Sequence, residues 1–272
     1  MKIKFYGVRG STPTPGPTTV YYGGNTVCVT LESDAGKRII LDAGTGLRVL
    51  GQELMHARQP FYILLSHNHW DHIQGFPFFI PAYIAKRQIT IVPGVTEEHA
   101  PDAILKQMLG SYFPVPHTTL AADIQVVPQT QDHWRYGEFD IQRCAMNHPG
   151  GGSAYRITAD GMDVVYATDN ELNPPGLPVT SFQQWVDFVK DADYLIHDGQ
   201  FVPEDYPLKH GWGHSLIKDA LLLAEQGTVK HLVLISHDPD RSDTALDQIA
   251  TEIKRQNRPF TTILAREGLT LP

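Results

Sequence analysis

The sequence predicts an α+β fold of four layers, αββα, formed by one domain over residues 1–272. Three observations point to it. Short runs of Val, Ile, Tyr and Phe alternate with segments of helical periodicity along the whole chain. The second half repeats the plan of the first. Finally, 272 residues with 42% hydrophobic and 19% charged side chains suffice for a large core, and no low-complexity stretch or linker divides them.

Taken in order, Lys2–Val8 alternates as a strand, and the Pro/Gly-rich run from Arg9 to Pro17 reads as a loop. Gly23-Gly24-Asn25 leads into a strand over Thr26–Leu31, and Arg38–Leu41 is the next. Leu47, Leu50 and Leu54 recur at helical spacing behind Asp42-Ala43-Gly44-Thr45-Gly46. Phe61–Leu65 is a buried strand, Gly75–Phe79 an apolar turn and Gln88–Val92 another strand. A helix is predicted over Glu97–Leu109 with Ile104, Leu105 and Met108 on one side, followed by a loop over Gly110–Pro114. Strands then fall near Glu138–Ala145, Ala154–Ile157 and Asp163–Tyr166. Phe182, Trp185, Val186 and Val189 mark a helix behind a Ser181 cap. Strand Tyr194–Ile196, a helix carrying Leu216, Ala220, Leu223 and Ala224, strand His231–Ile235 and a helix carrying Leu246, Ile249, Ala250 and Ile253 complete the pattern.

The most informative stretch is Ser66-His67-Asn68-His69-Trp70-Asp71-His72, at the end of the Phe61–Leu65 strand. On an extended chain His67 and His69 leave from one face, and Asp71 with His72 follow where the chain turns into a short helix. Imidazoles and a carboxylate crowded at a strand end are the ligand chemistry Zn²⁺ favours, with Fe and Mn as competitors. Solvent-facing histidines in a polar loop are the alternative, and the H-x-H-x-D-H spacing disfavours it.

This motif resembles the hallmark of the metallo-β-lactamase superfamily. The rest of that family's pattern can be matched in order: His148 in Asn147-His148-Pro149-Gly150, Asp169 in Tyr166-Ala167-Thr168-Asp169, and His237 in Leu234-Ile235-Ser236-His237. The resemblance implies the four-layer metallo-β-lactamase sandwich and two divalent metal ions, Zn²⁺ foremost. It puts His67, His69 and His148 on one ion, Asp71, His72 and His237 on the other, and Asp169 between them, with Asp71 also counted as catalytic. On this reading hydrolysis requires all seven side chains to converge. The resemblance gives Asp42 a supporting role, hydrogen-bonded to the metal loop. A carboxylate at Asp169, where thiolate-using lactamases carry Cys, and an imidazole at His69, where a diiron oxidoreductase branch carries Glu, favour hydrolysis over redox chemistry.

Within the superfamily, Gly7-Val8-Arg9-Gly10-Ser11-Thr12-Pro13 followed by Gly23-Gly24-Asn25-Thr26 resembles a subgroup that includes ribonuclease Z and cyclic-nucleotide phosphodiesterases. His214-Ser215 resembles the His-Ser-Thr-type motif of that subgroup, with Leu216 in place of Thr. The resemblance makes His214 a catalytic acid that also contacts the scissile phosphate without binding metal. Tyr112 and Phe113 are candidates for stacking on a base, with core aromatics as the alternative, and Ser153 is a further substrate-binding candidate. Asp198 could orient His214 or a ligand histidine. The expected reaction is hydrolysis of a small phosphodiester, a 3′,5′-cyclic mononucleotide above all. Alternatives are tRNA 3′-end processing, thioester hydrolysis of the glyoxalase II kind, and a metal-binding protein without turnover.

A net charge of −8 with no Lys/Arg block argues against gripping a long nucleic acid. Cys28 and Cys144 lie in apolar, strand-like segments, so reduced thiols are expected. The N-terminal residues run straight into a strand, and no apolar run approaches membrane-spanning length, which predicts a cytoplasmic enzyme without membrane contact. Homodimers are common in the subgroup, so a dimer is possible here.

Overall fold

The computed structural model describes residues 1–272. Its first sheet is built from β1 (Lys2–Gly7), β2 (Cys28–Glu32), β3 (Arg38–Leu41), β4 (Phe61–Leu64), β5 (Gln88–Val92) and β6 (Asp123–Val126). The second holds β7 (His133–Tyr136), β8 (Phe139–Ala145), β9 (Ser153–Ala159), β10 (Met162–Ala167), β11 (Tyr194–Asp198), β12 (His231–Ile235) and β13 (Thr261–Leu264). The last strand, β14 (Thr270–Leu271), returns to the first sheet and pairs with β1. The orders are β14-β1-β2-β3-β4-β5-β6 and β13-β12-β11-β10-β9-β8-β7.

Each sheet is antiparallel on one side and parallel on the other. The β3-β4-β5-β6 pairs are parallel, and so are the β10-β11-β12-β13 pairs. Buried on both faces, the inner parallel strands are nearly continuous apolar runs, Phe61–Leu64 and His231–Ile235 among them. Alternation divides each strand between two cores. Phe5, Val29, Leu41 and Leu64 meet Ile141, Tyr155, Tyr166 and Val233 between the sheets. On the outer face of the first sheet, Ile40, Ile63 and Ile91 pack against α1 (Gly46–Glu53) through Leu47 and Leu50. Phe76 and Phe79 of the predicted apolar turn fill the same layer. On the other outer face, Val165, Leu195 and Leu232 take Trp185, Ala220, Leu223 and Ile253 from helices 182–189, 217–226 and 243–255. Two mixed sheets between helical layers are thus the predicted αββα arrangement.

Local differences have local causes. The predicted helix over Glu97–Leu109 is a single turn, Ala103–Lys106, preceded by turns. Pro101 lacks an N–H and pushes Ala100 out of helical geometry. Ser181 caps helix 182–189 as the sequence suggested, and Gln184 completes a reciprocal capping box with it. Cys28 is buried, Cys144 half-buried, and neither is in a disulfide. No helix is long and apolar enough to cross a membrane.

What positions the site is the end at which the parallel strands stop. β3 ends before Asp42, β4 before Ser66-His67, β10 before Thr168-Asp169 and β12 before Ser236, while β11 ends at Asp198. Loops beyond the carboxyl ends of parallel strands are where α/β architectures bind ligands. The Tyr155 hydroxyl donates to Leu65 O at 2.6 Å and Ser153 N–H to Ser66 O at 2.8 Å, tying the two sheets together there.

Candidate metal centre

Three residues just past strand ends hold left-handed backbone without being glycine: Asp42 (φ 58°), Asp169 (φ 49°) and Ser236 (φ 60°). Such conformations cost energy and persist where the surroundings over-determine them. Here they turn side chains back over the sheet edge toward one another. Asp42 is fully buried and is the anchor. Its Oδ1 accepts the Ser66 N–H at 2.7 Å. Its Oδ2 faces three donors: Ser66 Oγ at 2.8 Å, His72 Nδ1 at 2.9 Å and the Tyr166 hydroxyl at 2.6 Å.

That network fixes the histidine tautomers. With Ser66 Oγ donating to Asp42, it accepts from His67 Nδ1 at 3.0 Å. His67 Nε2 is then a lone pair, buried and without a hydrogen-bond partner, 3.8 Å from Asp169 Oδ2. His148 Nδ1 donates to Gly213 O at 2.9 Å, which leaves its Nε2 facing His69 Nδ1 at 2.9 Å. Burial keeps His67 neutral, its pKa far below the ordinary value, and pulls His148 down to about 4. His67, His69 and His148 offer ligand atoms that all lie within 4.8 Å of one another, and His67, His72 and Asp169 do likewise.

The second half of the cluster is carboxylate-rich. His72 Nε2 lies 3.0 Å from Asp169 Oδ2 and 3.2 Å from Asp71 Oδ2, which also accepts the Ser11 N–H at 2.8 Å. Burial opposes charge on His72, but Asp169, Asp71 and Asp42 outweigh it and hold its pKa well above the usual value. Buried carboxylates in such number call for positive charge. With the orphaned His67 Nε2, they fit divalent cations: the donor set is the imidazole–carboxylate mixture that zinc and its neighbours take.

His214 stands at the rim of this set, two residues before the cap of helix 217–226. Its Nδ1 meets Asp198 Oδ2 at 2.7 Å, and its Nε2 faces Asp169 Oδ2 at 4.0 Å. Burial lowers its pKa, but Asp198 and Asp169 outweigh that and raise it to about 9. Asp198, which the sequence placed only loosely, is therefore its partner.

The structure brings together His67, His69, Asp71, His72, His148, Asp169 and His214. It does not bring in His237. That imidazole is buried beside Tyr22, its Nε2 donating to Ala265 O at 2.8 Å, and it belongs to none of the close ligand groups. Its neighbour Ser236 is the residue that faces the cluster, with Oγ donating to Asp169 Oδ1 at 2.9 Å.

Two further sequence expectations change. Ser153 is fully buried and its Oγ accepts the Val95 N–H at 3.0 Å, so it ties loops together and is closed to a substrate. Phe113 packs edge-on against Phe78 with ring centres 5.5 Å apart, the core-type contact that was its alternative reading. Tyr112 is 80% exposed. Two other exposed aromatics stand closer to the ligands in the chain: Trp70, next to His69, and Trp212, next to Gly213, are 69% and 60% exposed. Trp70 lies inside the motif, where an indole among four ligand-type residues carries no sequence signal of its own. Glu171 gave no sequence signal. It accepts N–H groups of Gly211 and Gly213, each at 2.9 Å, and so holds the loop whose carbonyl orients His148.

Comparison with known proteins agrees with this geometry. YhfI from Bacillus subtilis, a metallo-β-lactamase fold protein, superposes with a TM-score of 0.70 at 19% identity, over 100% of this chain and 99% of that one. The short form of human tRNase Z gives 0.66 at 19% identity, over 100% and 99%. A ribonuclease Z from Halalkalibacterium halodurans is 31% identical over 147 residues, 49% of this chain and 47% of that one, so the match spans about half of that relative. One from Staphylococcus haemolyticus is 22% identical with 89% of each chain aligned. The expectation against a long nucleic acid, drawn from net charge and the lack of a Lys/Arg block, finds no support among relatives of that name. Residues 37–237, most of the chain, match the beta-lactamase superfamily domain, and the chain accordingly belongs to that superfamily, as a metal-dependent hydrolase.

Proposed function

We propose that the protein hydrolyses small phosphodiesters, with 3′,5′-cyclic mononucleotides as the favoured class and a pair of divalent cations, zinc foremost, as cofactor. His67, His69 and His148 would hold one cation, Asp71 and His72 the other, with Asp169 between them. Cations so held neutralise charge on phosphoryl oxygens and make a water acidic enough to attack at neutral pH.

The observation that carries the reading is the His214–Asp198 pair at 2.7 Å. Asp198 accepts the hydrogen bond from Nδ1–H and stabilises the imidazolium, so that Nε2 presents a proton toward the cluster. A hydrolase that only needed a nucleophile would have no use for a buried cationic acid at this place. Phosphodiester cleavage does, because the leaving alkoxide must be protonated. His214 also supplies positive charge where negative charge develops on phosphorus oxygens. Trp70 and Trp212 offer exposed faces beside His69 and Gly213 on which a nucleobase can stack.

The test is a panel of cyclic mononucleotides and bis(p-nitrophenyl) phosphate assayed on metal-loaded protein, with metal content measured in the same sample. Turnover of a cyclic nucleotide supports the proposal, and a loaded protein that leaves the whole panel intact overturns it. One alternative has its own support: relatives named ribonuclease Z align along 89% of the chain. Cleavage of a precursor tRNA at its 3′ side, with the cyclic nucleotides untouched, would establish that reading instead.

A further inference from the structure

We propose that the second cation position is built mainly from oxygen donors, with Ser236 Oγ and Gln200 Oε1 beside Asp71 and Asp169 and with His72 as its one imidazole. It then takes a hard cation such as Mn²⁺ or Mg²⁺, while the pocket of His67, His69 and His148 takes Zn²⁺. The inference rests on the reading of this centre as a two-cation site.

Ser236 lies in left-handed backbone (φ 60°) just past β12, and of the pair Ser236–His237 it is the serine whose side chain meets the cluster, through Asp169, while the imidazole bonds Ala265 O. The backbone decides this. The His237 N–H donates to Val8 O at 2.9 Å and its carbonyl accepts the Gly10 N–H at 3.1 Å, while Arg9 and His237 form a bridge. This register puts the imidazole against Tyr22 and Ala265 O and turns Ser236 Oγ onto Asp169. No nitrogen ligand from this strand reaches the cluster.

Gln200 supplies the independent observation. It is 3% exposed, and its Oε1 is buried with no hydrogen-bond partner. Its other polar atoms are occupied: Nε2 meets Ser11 Oγ at 3.2 Å and the backbone N–H donates to Asp198 Oδ1 at 2.8 Å. Ser11 in turn donates its N–H to Asp71. A Cβ built on Gly10 would sit 2.2 Å from Gln200 Oε1 and 2.8 Å from Ser236 Oγ, so both oxygens converge on one small space that only glycine leaves open. A buried carbonyl oxygen left unpaired in a folded protein asks for a partner. Carbonyl, hydroxyl and carboxylate oxygens select hard cations, and imidazoles select zinc.

Metal binding tests this without substrate, so its outcome is separate from the fate of the phosphodiesterase reading. Protein saturated with Zn²⁺ and dialysed against buffer is expected to keep one zinc per chain by elemental analysis. Titrating that sample with Mn²⁺, followed by the electron paramagnetic resonance of free Mn²⁺, is expected to show one weaker site. S236A and Q200A should each weaken that Mn²⁺ site by roughly tenfold. S236H, which adds an imidazole at a backbone geometry His tolerates, should let the chain keep a second zinc. H237N, which retains a donor for Ala265 O, should leave both affinities as they are. Wild-type protein that keeps two zincs after dialysis, or an H237N variant that is folded by circular dichroism yet loses a metal, overturns the inference.

Discussion

Replacing Asp42 by Asn measures how far the hydrogen bonds behind the ligands build the centre. In the native protein one carboxylate oxygen takes the Ser66 N–H and the other takes protons from Ser66 Oγ, His72 Nδ1 and Tyr166. An asparagine does best with its carbonyl toward the three donors and its NH₂ against the Ser66 N–H, a donor that cannot rotate. Leaving one buried amide unpaired costs about 1–3 kcal/mol, and turning three bonds to a charged acceptor into bonds to a neutral one costs about 1 kcal/mol each. The expected loss is about 4–6 kcal/mol, a large share of the ~5–15 kcal/mol typical of a domain. Urea unfolding of the metal-free variant reads that number, and Y166F, which removes a single donor, should lose no more than about 2 kcal/mol. Metal affinity should fall by about 10–100-fold, because His72 and, through Ser66, His67 lose the bonds that set their tautomers. A D42N protein within about 1 kcal/mol of wild type that binds metal as tightly would refute the account.

Four other outcomes follow from the geometry. H214A should retain its metal yet lose about 10²–10⁴-fold in kcat on a cyclic nucleotide, and less on bis(p-nitrophenyl) phosphate, whose leaving group needs no proton; equal losses on both would remove the acid from His214. W70A and W212A should each raise KM for a nucleotide roughly 5–150-fold with kcat little changed, from a stacking energy of about 1–3 kcal/mol per base, and unaltered KM in both would deny them the stacking role. In G213A the new Cβ would sit 2.0 Å from His148 Nδ1 at a φ of 87°; the imidazole must swing out, and calorimetry should record weaker zinc binding, whereas unchanged affinity would mean the Gly213 carbonyl does not orient His148. Burial holds His197 at a pKa of about 4, and a neighbouring backbone carbonyl only partly offsets it. The unfolded chain binds that proton from about pH 6.5 downward and the native chain does not, so stability should fall as pH drops from about 6.5 to about 4, by about 3 kcal/mol from this group. H197Q should flatten the slope of urea midpoints across that window, and an identical slope would assign it to other groups.

The fold was legible in the sequence because strand and helix periods alternate cleanly where each strand is buried on both faces. Phe61–Leu65 and His231–Ile235 could be read directly for that reason. The legible part of the site lay wherever ligands crowd into one local motif: His67, His69, Asp71 and His72 are fixed by one strand end and one helical turn. Strands 123–126 and 133–136, at the far edge of the two sheets, show partial burial and little periodic signal. Glu171 and Tyr166 were invisible as site residues because their roles arise from pairings across 40 and 124 positions of chain.

The case of Ser236 and His237 shows where reading by residue type must stop. A histidine following an apolar strand near the end of the chain looks like a ligand by composition, and its neighbour, a serine, does not. Which of the two faces inward is decided by the left-handed backbone at Ser236, just past the strand, and by contacts of His237 with Val8, Arg9 and Gly10 at the opposite end of the sequence. The requirement that seven side chains converge was therefore too strict: the family stands on the match over residues 37–237, and six of the seven side chains still gather, with His214 beside them. What the displaced imidazole changes is the character of one cation position, where a nitrogen donor gives way to the oxygens of Ser236 and Gln200. Since Asp169 faces both halves, His67 at 3.8 Å on one side and His72 at 3.0 Å with Ser236 at 2.9 Å on the other, that exchange reaches the carboxylate on which the whole centre turns.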